Sequence, residues 1–284
     1  MYTTLITPEA LSRHLDAPGW RIIDCRFSLA DLEQGRRAYI EAHIPGAHYA
    51  HLNDDLSGPP ATDIGRHPLP TPQALRKRLG KWGIGPDTQV VAYDDSNGAI
   101  AARLWWLLQY MGHEATCVLD GGWTAWLASA GSIERTAPAA VQTVTFEGEP
   151  KREWLVVADE VEQVHLLIDS RAPERYRGES EPYDSVAGHI PGAVNYFYQN
   201  NWTEDNRHLS PESIRSKLSE VLGGTSPEDA VFYCGSGVTA CANILALSHA
   251  GLPIARLYAG SWSDWSRLGN PVETSGSGDA PRTD

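Results

Sequence analysis

The residues best suited to chemistry are Cys234-Gly235-Ser236-Gly237-Val238-Thr239-Ala240. A thiol ends an apolar run, Ala230 to Tyr233, two glycines flank a serine just behind it, and the stretch from about Val238 to Ala250 reads as a helix. Strand, tight loop and helix start in that order let several backbone N–H groups converge on one small bowl, because glycine admits the curvature and the first helical turn has unpaired donors. Such a bowl favours anions. The thiolate is the nucleophilic form of cysteine, and a helix N-terminus lowers thiol pKa by stabilising it; the same donors would hold a persulfide. A plain buried cysteine ahead of a helix leaves the two flanking glycines unexplained, so Cys234 is expected to be a nucleophile.

The other cysteines read differently. Cys25, Cys117 and Cys241 sit in strand-like or helical apolar stretches and are expected to be small core residues. Four cysteines at irregular spacing make neither a disulfide framework nor a zinc site, so no metal is expected. A net charge of -13 over 284 residues argues against nucleic acid or an anionic membrane as a partner. No run approaches the roughly 20 apolar residues that span a bilayer. Met1 to Thr4 lacks the basic and apolar regions of a signal peptide, and a cytoplasmic protein is expected.

The elements that must position this loop occur twice. His-Ile-Pro-Gly-Ala stands at His43 to Ala47 and again at His189 to Ala193, each after a run ending in an acid and an arginine, Asp24 and Arg26 or Asp169 and Arg171. Val90 to Asp94 corresponds to Ala230 to Cys234, and the Trp123 and Trp126 pair to Trp262 and Trp265. A repeat this long implies two copies of one domain, with Asp94 standing where the second copy has its thiol. Short apolar strands alternating with helical stretches give the fold class as α/β, each copy a mostly parallel sheet flanked by helices. The expected division is a first domain over 1–135, a linker over 136–155, a second domain over 156–272 and a disordered tail over 273–284. The Pro- and Gly-rich stretch Leu56 to Pro70 is read as a loop that covers a site, on its segment Gly65 to Pro70.

These features together resemble the two-domain rhodanese-type sulfurtransferases, over about Leu5 to Val272. The resemblance implies a silent first domain and a cysteine in the second that, with no metal or organic cofactor, takes a sulfane sulfur from thiosulfate or 3-mercaptopyruvate and passes it to cyanide, a small thiol or thioredoxin. Donor contacts fall to Gly235, Gly237, Val238 and Thr239. Members that prefer thiosulfate carry cationic side chains just after the cysteine, where this chain has Gly235, Ser236 and Gly237, so 3-mercaptopyruvate is the favoured donor. Ser236 is then expected to assist proton transfer, linked to His43, for which no carboxylate partner can be placed. Of the two arginines that grip a donor carboxylate, Arg175 matches; the following Glu181 to Ser185 holds no second one, Arg177 and Arg66 are the substitutes, and thiosulfate stays open. A cysteine phosphatase would need an arginine at the sixth residue after Cys234, which is Ala240. A persulfide carrier without turnover is the remaining alternative.

Overall fold

A computed structural model of the chain describes residues 1–61, 64–136, 138 and 140–275. The first half builds a parallel sheet from β1 (Leu5–Ile6), β2 (Trp20–Asp24), β3 (His48–Tyr49), β4 (Gln89–Tyr93) and β5 (Thr116–Leu119), in the order β1-β5-β4-β2-β3. The second repeats it with β6 (Leu155–Val156), β7 (Leu166–Asp169), β8 (Val194–Asn195), β9 (Ala230–Tyr233) and β10 (Arg256–Tyr258), in the order β6-β10-β9-β7-β8. Every one of these pairings is parallel.

β4 and β9 lie in the middle of their sheets and are buried throughout, as expected for a strand with helices on both faces. Alternate side chains go to opposite faces. Ile23, Val90 and Ala92 enter one apolar cluster while Ile22, Val91 and Tyr93 enter another; Ile168, Ala230 and Phe232 are separated in the same way from Leu167, Val231 and Tyr233. The inner clusters of the two halves are continuous. Helix Ala101–Tyr110 of the first half packs on helix Ala240–His249 of the second, and Leu104, Leu108, Ile244 and Leu245 are buried in one shared core. Each of these helices follows the loop after its central strand, so the interface brings the Asp94 and Cys234 loops into the same region.

Two expected boundaries move. Leu155 lies in β6, paired to Leu257, so the linker ends before it; a two-residue strand shows no alternation from which to read it. Glu273 exchanges backbone hydrogen bonds with His189, at 2.8 and 3.0 Å, and so belongs to the second domain. The rest of the expected tail, from residue 276, lies outside the described residues. Among the described residues no helix is long and apolar enough to cross a membrane.

Candidate active site

The four cysteines are all buried, yet their thiols are driven in opposite directions. Burial raises the pKa of Cys25 and Cys117 and pushes Cys241 up to about 12. Burial acts on Cys234 too, but hydrogen bonds from the Thr239 hydroxyl and from the amides of Ser236, Ala240 and Val238 outweigh it and hold the thiol below its ordinary value. The sulfur thus sits in the anion bowl that the loop's glycines make possible. Gly237 has φ +72°, and a Cβ there would come within 2.3 Å of the Ala259 carbonyl oxygen.

The first domain shows what the same bowl does without a thiol. Asp94 Oδ1 accepts from the amides of Ser96 and Gly98, and Oδ2 from those of Ile100 and Ala101, all at 2.8 Å. A carboxylate built into the chain fills the space that an outside anion would take.

A turn from β10 braces the reactive loop. Ser261 has φ +57°, unusual for a residue with a side chain, and its Oγ accepts from the Cys234 amide at 3.1 Å while donating to the Tyr258 carbonyl at 2.9 Å. The amides of Trp262 and Ser263 donate to the carbonyls of Cys234 and Gly235. Arg171 is clamped nearby: Nη2 donates to Asp169 Oδ2 at 2.5 Å, and its guanidinium lies 4.7 Å from the centre of a Trp262 ring. Arg26, Asp24 and Trp123 repeat this arrangement beside the Asp94 loop, which makes it scaffolding common to both copies.

The covering loop comes from the first domain. The Arg66 amide donates to Ser263 Oγ at 2.9 Å and Arg267 Nη1 to the Ile64 carbonyl at 2.8 Å, which fastens the loop to the turn that braces Cys234. Below it, the fully buried Arg103 donates to the Gly237 carbonyl at 2.8 Å and the His67 carbonyl at 3.2 Å, tying the two domains together.

This loop carries the histidine that pairs with Ser236, and it is His67, not His43. His67 Nδ1 and Ser236 Oγ are 2.7 Å apart. Burial, and then the neighbouring Arg66 and Arg103, push the His67 pKa down to about 3, so the imidazole is neutral. His43 stacks on Tyr39, with 4.1 Å between ring centres, its Nδ1 donates to the Tyr39 carbonyl at 2.6 Å, and its Nε2 lies 3.9 Å from Glu134. His189 repeats this with Tyr176 and Glu273. Both histidines of the repeated motif therefore lock their motif to a neighbouring segment, which is why both copies have one. The tight Gly65 to Pro70 segment was the available sign of His67.

Cys234 lies at the base of a chamber of about 80 Å³ whose walls include Arg66, His67, Arg175, Tyr183, Ser236 and Thr239. Two larger spaces adjoin it, of about 440 and 480 Å³, sharing with it Leu29 and Tyr183. Gly235 leaves room for two cations: a Cβ there would stand 3.2 Å from Arg175 Nη2 and 3.3 Å from Arg66 Nη2. The guanidinium without a match in the second domain is thus supplied by the first. Arg177 instead pairs with Glu179 at 2.8 Å on the surface. Gly235, Val238 and Thr239 line the chamber as well, and Gly237 turns the loop beneath it.

A thiol held below its ordinary pKa, two guanidiniums beside it and a neutral Ser–His pair make a site for attack on an anionic substrate. The model of the rhodanese-like domain matches this chain twice, at residues 7–129 and 152–268. A Pseudomonas aeruginosa protein named as a probable 3-mercaptopyruvate sulfurtransferase is 46% identical over 269 residues, covering 92% of this chain and 94% of its own. The thiosulfate sulfurtransferase of Bos taurus is 30% identical over 286 residues, covering 95% and 94%. Among solved structures, the 3-mercaptopyruvate sulfurtransferase from Leishmania major superposes with a TM-score of 0.85 at 32% identity, over 94% of this chain and 75% of that one. The chain belongs to the rhodanese-like family, as a tandem of two copies of its domain.

Proposed function

We propose that this protein is a sulfurtransferase that moves a sulfane sulfur from 3-mercaptopyruvate, or less readily from thiosulfate, to a thiol through a persulfide on Cys234. The observation that carries this reading is the depressed thiol of Cys234 among four buried cysteines, at the base of a chamber lined by guanidiniums. With 3-mercaptopyruvate, the Cys234 thiolate attacks the donor sulfur, a new S–S bond forms, and the electron pair of the breaking C–S bond stays on carbon as the pyruvate enolate. The proton of the donor's own thiol then passes to that carbon through Ser236, whose hydroxyl is held by the neutral His67, and the persulfide is left as an anion. With thiosulfate the S–S pair leaves with sulfite, and no proton is needed.

Arg66 and Arg175 orient the donor anion, and the loop amides hold the persulfide that results. In the second step an acceptor thiolate, cyanide or reduced thioredoxin takes the outer sulfur and the Cys234 thiolate returns. The first domain supplies Arg66, His67 and Arg103 and performs no transfer of its own, since Asp94 fills its bowl. The preference for 3-mercaptopyruvate rests on the loop after the thiol, which carries a hydroxyl and no cation, and on the two guanidiniums placed to grip a carboxylate.

Intact mass before and after incubation with each donor tests the nucleophile: a gain of about 32 Da, absent in Cys234→Ser, is expected. Steady-state rates with both donors test the preference. A large excess of thiosulfate turnover would reverse it, and a single loading without turnover would leave a carrier.

A further inference from the structure

We propose that Glu181 and Asp184 set the donor preference of this site, by neutralising its two guanidiniums so that a singly charged donor is favoured over a doubly charged one. The proposal rests on the sulfur-transfer reading and concerns residues to which that reading gives no role.

Both donor-facing guanidiniums are already answered by carboxylates from one short segment. Arg175 donates to Glu181 through Nε at 3.1 Å and Nη2 at 2.7 and 2.8 Å; Glu181 Oε2 also accepts from Nη1 of Arg171 at 3.2 Å, a guanidinium whose own charge Asp169 answers. Arg66 donates through Nη1 to Asp184 Oδ1 at 2.7 Å and to the Tyr183 carbonyl at 3.3 Å. The Tyr183 ring between the two acids lies 5.6 Å from the Arg66 guanidinium and 5.1 Å from that of Arg175, roofing both. Among the described residues Arg175 Nη1 and Arg66 Nη2 make no hydrogen bond, and both guanidiniums face Gly235. The hydrogen-bonding capacity for a donor anion is therefore present while its net charge is cancelled.

The cancellation is effective because it is shielded. The side chains of Glu181 and Asp184 are 2% and 4% exposed, so their field at the chamber is far less screened than that of a surface acid. Asp184 Oδ2 and Arg66 Nε are buried without partners, leaving that pair incompletely satisfied. Coulomb energy scales with the charge of the ligand. Thiosulfate carries two negative charges and 3-mercaptopyruvate at neutral pH carries one, so each carboxylate opposes thiosulfate twice as strongly. Two unanswered guanidiniums would reward the dianion by the same factor.

Glu181→Gln and Asp184→Asn keep an acceptor oxygen for each guanidinium and remove the charge. In each variant KM for thiosulfate is expected to fall by about the square of the fall for 3-mercaptopyruvate, on the order of 10-fold against 3-fold, with the gap narrowing at high salt. Equal changes for both donors, or a rise in both, would mean that the carboxylates only hold the arginines in place, and would overturn the proposal. The unsubstituted protein provides a check that needs no variant: pyruvate should compete with the donor more tightly than sulfate, and the reverse order sinks the idea. If the unsubstituted protein turns over neither donor, the sulfur-transfer reading itself has failed, which these outcomes keep apart from failure of the charge argument.

Discussion

His67 of the first domain and Ser236 of the second share a hydrogen bond of 2.7 Å across the domain interface. The thiol lies on one domain, while one guanidinium and the imidazole of its chamber lie on the other, so the reactive centre exists only when the two copies are docked. Helix Ala101–Tyr110 against helix Ala240–His249 and the buried Arg103 between the loops supply that docking. The first domain, whose loop carries Asp94 where the second has its thiol, thus completes the site of the second.

On the proposed mechanism the His67–Ser236 pair is expected to separate the two donors kinetically. Forming pyruvate needs a proton at carbon, whereas sulfite leaves without one. Ser236→Ala and His67→Gln are each expected to lower kcat with 3-mercaptopyruvate by about 100-fold, the usual size of a positioned proton-transfer effect, with a much smaller loss for thiosulfate. Parallel rate measurements check this, and equal losses with both donors would show that the pair shapes the chamber rather than moving a proton.

The same imidazole gives the fold a sensitivity to acid. Its folded pKa of about 3 lies below its ordinary 6.5, so between these values the unfolded chain binds a proton that the folded chain does not. Stability therefore falls as pH drops from 6.5 towards 3, by about 1.4 kcal/mol per unit. Urea unfolding from about pH 6.5 to about pH 4.5 is expected to cost the unsubstituted protein about 2–3 kcal/mol more than His67→Gln. Parallel pH profiles would remove His67 as the cause.

The central strands and their following helices were legible in sequence because apolar runs of four or five residues and strong helical periods are local signals. β9 runs over the same residues that the pattern marks, Ala230–Tyr233. The edge strands β1, β3, β6 and β8 have two residues each, too few to alternate, and they form only because a neighbouring strand offers its open edge. In the site, Cys234 and Ser236 were legible because their loop is contiguous. His67 was not assigned, and Arg66 stood only beside Arg177 as a substitute, because both reach the thiol by a fold-back of about 170 residues that no local pattern encodes. His43 stood out for the opposite reason: a repeated motif draws attention, and here repetition marks a structural lock.

Asp94 supports the first domain much as an anion would support the second. Each of its oxygens accepts from two amides, so Asp94→Ala leaves four buried or partly buried donors without an acceptor and is expected to cost several kcal/mol, at about 1 kcal/mol per bond. Asp94→Asn turns an NH₂ group towards two of those amides and should also destabilise, though less. Denaturant midpoints give the ranking. A neutral result for Asp94→Ala would mean that water replaces the carboxylate at no cost.

On the proposed mechanism the reactivity of Cys234 is expected to depend on Thr239 in a way that a rate profile reads directly. Burial alone would keep the sulfur protonated, and the Thr239 hydroxyl leads the hydrogen bonds that reverse this. Because the thiolate attacks, kcat/KM with thiosulfate, a donor that does not itself titrate near neutrality, falls as pH drops through the Cys234 pKa. That acid limb lies below the ordinary thiol range. Thr239→Val keeps the shape and removes the donor, so the thiolate loses stabilisation, its pKa rises and the limb moves to higher pH. Below the new limb each unit of displacement costs about tenfold in rate. Thiolate absorbance or the pH dependence of alkylation should shift by the same amount as the kinetic limb. If the limb stays in place while rates fall uniformly, the hydroxyl positions the loop without charging the sulfur, and the anion bowl rests on its amides alone.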